Sequence, residues 1–354
     1  MEYEYNRASQ RTRADYDIGA YTTWDYDPVF GHINKINHHK PDGTPVASFE
    51  YHNPSWTPSG YDLDGLRRKV VFEDGSSIIY EYDELNRLTK EEKLGATPTP
   101  TWSRQYTYDK VGNRESLTKY EDGNTIVYDY HYNELGQLEY VRWPDPTYEY
   151  KNEYQYDANG NLVSKKYYIE GDINKTEWTY EWDTQDRLIS VTKDDKTQAD
   201  EDLMVRYEYC PGCGGAISER IEYDDDLGGD VVSWLRYEYE GLNLLRIDEL
   251  YDGDEDGDLD ETDKGSGCWR LMNLYVHGPG SIGQIVKAEW YEYDSTDPDA
   301  TEPCDSGEYY YFYDALGNVD GVMEKYLGSW NYYRFEIDAF GNDINDGNNF
   351  LSII

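Results

Sequence analysis

The sequence is short of positive charge, of aliphatic bulk and of any long apolar run, and each shortage excludes something. Lys plus Arg number 32 against 73 Asp plus Glu, a formal net charge of -41. A field of that sign repels phosphate, so nucleic acid and anionic membrane surfaces are poor partners, while cations, calcium above all, are drawn in. No stretch approaches the ~20 consecutive apolar residues of a membrane-spanning helix, so membrane insertion is not expected. Met1–Tyr5 has neither the basic start nor the apolar core of a signal peptide. Export would therefore rest on a signal outside this chain, which reads as a piece of something longer. There is also no nucleophile elbow, no phosphate loop and no single acid/base constellation, so no enzyme is expected.

What is present is aromatic. The chain holds 39 Tyr and 10 Trp at a mean hydropathy of -0.94. Disordered chains are poor in such rings, whereas Tyr and Trp favour half-buried, pleated positions, so the composition predicts an all-β protein. One phrase recurs along it: an aromatic and an acid, two or three spacer residues, Gly-Asn or Asn-Arg, then an aliphatic. Clear copies are Tyr108-Asp109 with Gly112-Asn113, Tyr156-Asp157 with Gly160-Asn161-Leu162, and Tyr313-Asp314 with Gly317-Asn318-Val319. Altered copies begin at Tyr82-Asp83, Tyr132-Asn133 and Trp182-Asp183. From Tyr82 the steps are 26, 24, 24, 26 and 27 residues, to Tyr108, Tyr132, Tyr156, Trp182 and Tyr209.

Each copy predicts a β-hairpin. Alternation such as Tyr154-Gln155-Tyr156 precedes the phrase and a second alternating run follows it, while Asp and Gly-Asn supply a backbone cap and a residue tolerant of positive φ. A unit this short cannot bury its own apolar face, so copies must stack side by side. The Tyr-Asp pairs are read as core ring plus turn cap. Recurrence argues against catalysis, which needs one constellation rather than a row of copies.

These residues resemble the YD-repeat, or RHS-repeat, family from about Trp24 to Asn342. Residues 1–234 form the YD hairpin array and 235–354 look like the start of the RHS-associated core, through Tyr275-Val276-His277-Gly278-Pro279-Gly280, Tyr311–Val319 and Asp338-Ala339-Phe340-Gly341-Asn342. The resemblance implies tandem antiparallel hairpins coiled as a spiral sheet or hollow shell. It also implies a secreted or cell-surface bacterial scaffold, as in polymorphic toxins, with a C-terminal effector domain of the parent protein as partner. The family's autoproteolytic segment and cargo cannot be carried onto residues this chain does not contain. The rival reading is an extracellular carbohydrate- or protein-binding module that stacks glycans on outward rings such as Trp143 or Trp178.

Two places could hold metal. Residues 252–263 match the twelve-residue calcium loop: Asp252, Asp254 and Asp256 as carboxylates, Gly257 at the sharp turn, Asp258 through its carbonyl, Asp260 directly or through water, and Asp263 at position twelve. The flanks, Leu244–Ile247 and Trp269–Met272, read as strands rather than the usual helices, so the loop is an acidic insertion between strands. Cys210 and Cys213 form a Cys-x-x-Cys knuckle, and Cys268 and Cys304 stand alone. The four could hold zinc as thiolates, form two disulfides (Cys210 with Cys213, Cys268 with Cys304), or remain free. Gly278–Gly283 has the letters of a dinucleotide loop but no following helical period, and His38-His39 reads as a solvated loop.

Overall fold

The computed structural model describes residues 2–334 except 54, 57–59, 96–99, 122, 145–147, 170–174, 196–201, 212–214, 225–228, 253–258, 267, 278–284, 294–302, 314–318 and 327–328. Among these residues there are twenty-five strands and one short helix, Glu261–Ser266. The all-β expectation holds. So does the hairpin expectation, because every strand pairing from Glu2–Tyr5 to Asn124–Tyr132 is antiparallel and joins sequence neighbours. The same rule runs from Leu138–Pro144 to Asp305–Tyr313. Antiparallel neighbours need only a tight turn, which is what the recurring phrase supplies.

The chain divides into two units. The first comprises residues 1–129 with 312–321 and 332–354, and the second 130–311 with 322–331. The boundary expected at 234/235 falls inside the strand Val231–Glu240.

In the first unit, period-2 alternation puts Ile36, Phe49, Val70 and Ile78 from four successive strands on one face with Tyr51 and Trp102. Ile36 lies opposite Phe49, and Val70 opposite Ile78. Burying such side chains contributes roughly 1.5–3 kcal/mol each before ordering entropy is subtracted. Phe312 is fully buried in the same unit, edge-on to Tyr16 with ring centroids 5.7 Å apart. In the second unit a smaller cluster joins Ile221, Trp234, Leu250 and Cys268.

The scarce cations are placed economically. Six sit two residues before an acid on the same strand face, bridging at 2.5–2.8 Å: Arg13–Asp15, Lys90–Glu92, Lys151–Glu153, Arg220–Glu222, Arg246–Asp248 and Lys287–Glu289. Side chains at i and i+2 of a strand point the same way, so this spacing brings them together. Asp248 is wholly buried and also receives Arg236 at 2.8 Å.

Candidate functional site

The element repeated most faithfully is the hairpin turn. In Asp83–Arg87 the Asp83 N–H donates to the Arg87 carbonyl and the Asn86 N–H to the Asp83 carbonyl, both at 3.0 Å, and Asn86 adopts φ 62°. This is a type I turn closed by a left-handed residue. Gly112, Gly136 and Gly160 fill the left-handed position at φ 103°, 75° and 94°, and Asp186 at 57°. The acid caps the turn. Asp83 Oδ1 accepts from Leu85 and Arg87 N–H at 2.9 Å, and Oδ2 accepts from the Arg87 guanidinium at 2.7 Å. Asp109 and Asp157 do the same with an Asn side chain in place of Arg.

Those hydrogen bonds act on the carboxylates. The Arg87 N–H, then the Arg87 side chain and Leu85 N–H, hold Asp83 below the usual carboxylate range despite some desolvation, and Asp183 is lowered likewise by Arg187 and Gln185. Asp27 is lowered by the N–H groups of Phe30 and Val29. These are acids held ionised for structural use.

The motif ring has a role that sequence reasoning missed. One residue past the aliphatic, each hairpin carries a bulge: Tyr82 pairs with Leu88 but Glu81 with Lys90, Tyr156 with Leu162 but Gln155 with Ser164, and Tyr26 with Ile33 but Asp25 with Lys35. A bulge disturbs the ladder at that point. The carbonyl just before it is then taken by the ring of the next motif. Tyr82 Oη donates to Arg67 O at 2.8 Å, Tyr108 to Leu88 O at 2.6 Å, Tyr156 to Leu138 O at 3.0 Å and Tyr209 to Leu188 O at 2.6 Å. Earlier and later copies follow: Tyr26 to Arg11 O, Tyr61 to Ile33 O and Tyr293 to Leu271 O. Where the ring is not Tyr it still carries a donor at its tip, Trp182 Nε1 reaching Leu162 O at 2.7 Å and His277 Nε2 reaching Leu244 O. Phe could not do this, and the chain has 7 Phe to its 39 Tyr.

The expectation that these rings form the core is thereby corrected. Tyr82, Tyr108 and Tyr156 are half-buried, with one face covered at two of the junctions by the preceding Arg: Arg68 lies 5.0 Å from the Tyr82 ring and Arg87 4.7 Å from that of Tyr108. The dry side comes instead from residues such as Tyr106, Leu117 and Val141.

Of the calcium-loop residues, Asp254, Asp256 and Asp258 lie outside the described residues. Tyr251 N–H donates to Cys268 O at 3.0 Å, which draws the two ends of the insertion together, and both flanks are strands, as expected. Asp260 and Asp263 open the short helix Glu261–Ser266. Asp260 Oδ1 accepts from Thr262 N–H at 2.5 Å, and Asp263 Oδ2 accepts from Asp260 N–H at 3.1 Å, a reciprocal cap. No group of three or more His, Cys, Asp or Glu among the described residues is arranged to hold a metal.

Cys210 is disulfide-bonded, which withholds its sulfur from a four-thiolate zinc set as it stands; Cys213 lies outside the described residues. The expected Cys268–Cys304 disulfide is not formed. Cys268 is a buried thiol and Cys304 an exposed one. They precede strands that flank Ile285–Glu292 on opposite sides. Two strand spacings, ~9–10 Å, exceed the ~7 Å that a disulfide can bridge.

Two further expectations change. His38 and His39 belong to the strand Ile33–His39 rather than a solvated loop. His38 is fully buried, its Nδ1 is 2.8 Å from Thr22 Oγ1, and desolvation pushes its pKa down to about 3, so it stays neutral. The rings proposed for sugar stacking each have a neighbouring side chain against them. Lys165 sits 4.5 Å over Trp178, and Trp143 stacks with Tyr150 at 5.9 Å. The Gly278–Gly283 turn lies outside the described residues.

The protein so defined is an array of antiparallel hairpins stapled ring to carbonyl. Residues 156–198 match the family model for the RHS repeat, so that segment is similar to an RHS repeat. No curated protein matches. Among solved structures, the crystal structure of TcdB2-TccC3-TEV aligns at 14% identity and TM-score 0.32, covering 90% of this chain and 18% of that one. A porin-like protein from Bacteroides uniformis aligns at 12% identity and TM-score 0.31, covering 75% and 93%. The chain thus spans under a fifth of the first, and both scores are too low to carry an argument.

Proposed function

We propose that this RHS-type scaffold is non-catalytic and serves as a wall segment of a secreted or cell-surface protein that encloses or presents an effector domain. The observation that carries the reading is the recurrence of one staple in hairpin after hairpin. Evolving a single site leaves most repeats free to drift, whereas a wall needs every junction made alike. Calcium, bound by the acidic insertion at 252–263, would order the segment between the strands Asn243–Leu250 and Trp269–His277.

The test is protection. A small, protease-sensitive domain joined after Ile354 of the full chain should be cleaved about tenfold more slowly than the same domain alone, as expected when cleavage requires rare opening of an enclosing structure. Equal cleavage rates would remove the enclosing role.

A further inference from the structure

In the first unit a pocket lies beside the motif Tyr61-Asp62. Between the strands Pro45–Glu50 and Lys69–Phe72 the motif Tyr61-Asp62 is present, and Tyr61 Oη staples normally to Ile33 O at 2.9 Å. Among the described residues its ladder is the bridge of Tyr61 to Arg67, with Arg68 N–H donating to Gly60 O at 2.8 Å. This hairpin stands beside the turn of the preceding motif, Tyr26-Asp27. A cavity of ≈ 860 Å³ lies there, within the size range of small-molecule sites.

Its walls are rings and aliphatics. His32 lies between Phe30 and Tyr61, with centroids at 6.0 and 4.9 Å, while Leu63 and Ile79 complete the apolar lining. Phe30 and Leu63 are exposed, at 75% and 104% of full accessibility, on turn tips where nothing structural requires a large apolar residue. Exposed apolar tips also occur on the turns of other copies, at Leu85, Val111 and Leu135; Phe30 and Leu63 differ from these in bordering the cavity.

The charge around it is one-sided. Asp27, Asp62 and Glu81 line the pocket with a single guanidinium, Arg68. That guanidinium is committed to Asp62 at 2.7 Å. Asp27 spends Oδ1 on the N–H groups of Val29 and Phe30, at 2.8 and 2.6 Å, and its Oδ2 accepts no hydrogen bond among the described residues. Glu81 is largely exposed, with Lys90 no nearer than 3.7 Å.

We infer that this pocket binds an organic cation: an ammonium or quaternary ammonium group carried on an aromatic or branched aliphatic body. Ring faces and carboxylates both attract such a group, and the apolar walls take its body. An anion of the same shape meets three carboxylates and the field of the whole chain. A bare metal ion would leave the rings unused. This assignment stands apart from the scaffold role and survives or fails without it.

Three probes of equal shape separate the possibilities by calorimetry on the full chain: 4-tert-butylbenzylammonium, 4-tert-butylbenzyl alcohol and 4-tert-butylbenzenesulfonate. The ammonium should bind one saturable site, the alcohol about tenfold more weakly and the sulfonate not measurably, the tenfold being the order of a partly desolvated cation–ring contact. Phe30→Ala and Glu81→Gln should each weaken the ammonium several-fold; both residues are exposed, so circular dichroism and melting should be unchanged. Equal affinity for all three probes, binding unaltered in both variants, or no binding by the ammonium would each overturn the proposal.

Discussion

Changing Tyr108 to Phe removes one oxygen and tests the staple directly. The phenol donates to Leu88 O at 2.6 Å, whereas the ring's packing and the Arg87 guanidinium 4.7 Å from it would be retained. An intramolecular hydrogen bond contributes about 0.5–1.5 kcal/mol net, and a fully buried orphaned carbonyl would cost more. Because Tyr108 is half-buried, water can partly replace the phenol, and about 1 kcal/mol is expected. With a urea slope of ~2 kcal/mol/M, the midpoint falls by ~0.5 M at constant slope. Tyr108→Trp, which keeps a donor as Trp182 does, should recover most of the loss. Tyr5→Phe is the control, since Tyr5 makes no such bond among the described residues and is 53% exposed. If Tyr108→Phe leaves the midpoint in place, or Tyr5→Phe lowers it equally, the rings are packing and the staple is incidental.

The turn acids give a pH signature. A carboxylate held low in the fold stabilises it fully above its unfolded pKa, about 3.9, and loses that contribution as pH falls through the folded value. Acid also relieves the repulsion of a -41 chain, which acts in the opposite sense, so the informative quantity is a difference. The melting gap between wild type and Asp83→Ala should be widest near neutrality and close below about pH 4; a gap independent of pH would count against the cap. Thiol titration under denaturing, non-reducing conditions with chelator should find two reactive cysteines, rising to four with reductant, whereas four at the outset would restore the zinc and free-thiol readings, which a metal assay separates. Calcium titration should reveal one site of about 10⁻⁴ to 10⁻³ M that Asp254→Ala with Asp256→Ala abolishes, and no heat at millimolar calcium would retire the loop. Asp248→Ala should destabilise the second unit by about 3 kcal/mol in urea melts, as removing one member of a buried pair does; a loss no larger than that of an exposed pair would show that the two arginines find other partners.

Turns and strands were legible because their causes are local. A left-handed position favours Gly, Asn or Asp, with Ser9 the one other residue there among those described, and Asp83, Asp109 and Asp157 cap N–H groups within four residues of themselves. The Arg/Lys-x-acid pairs are local too, and the period-2 rule would have found them had the search extended to charge. What could not be read links hairpins. That Tyr108 answers a carbonyl twenty residues earlier depends on the bulge after Leu88, and a bulge leaves no mark in composition. The fate of Cys268 and Cys304 depends on which strands intervene between them. His38-His39 misled because two polar letters look like a loop until Thr22, on the next strand, is seen to supply the partner.

The pocket shows how far the same logic reaches. At Tyr61-Asp62 every local rule is obeyed: Asp62 caps Asp64 and Leu66 N–H at 3.0 and 2.8 Å, Gly65 takes φ 81°, and the phenol finds its carbonyl. What departs from the pattern is the interval in which the motif sits, residues 51–68 between the strands Pro45–Glu50 and Lys69–Phe72. In an array where each unit covers its neighbour, a unit set in so long an interval meets that neighbour differently, and the cavity lies at that place. Exposed apolar tips recur on ordinary turns of the array, at Leu85, Val111 and Leu135. What sets Phe30 and Leu63 apart is that they border a cavity beside carboxylates not committed to the turn, and that combination is what a binding site requires.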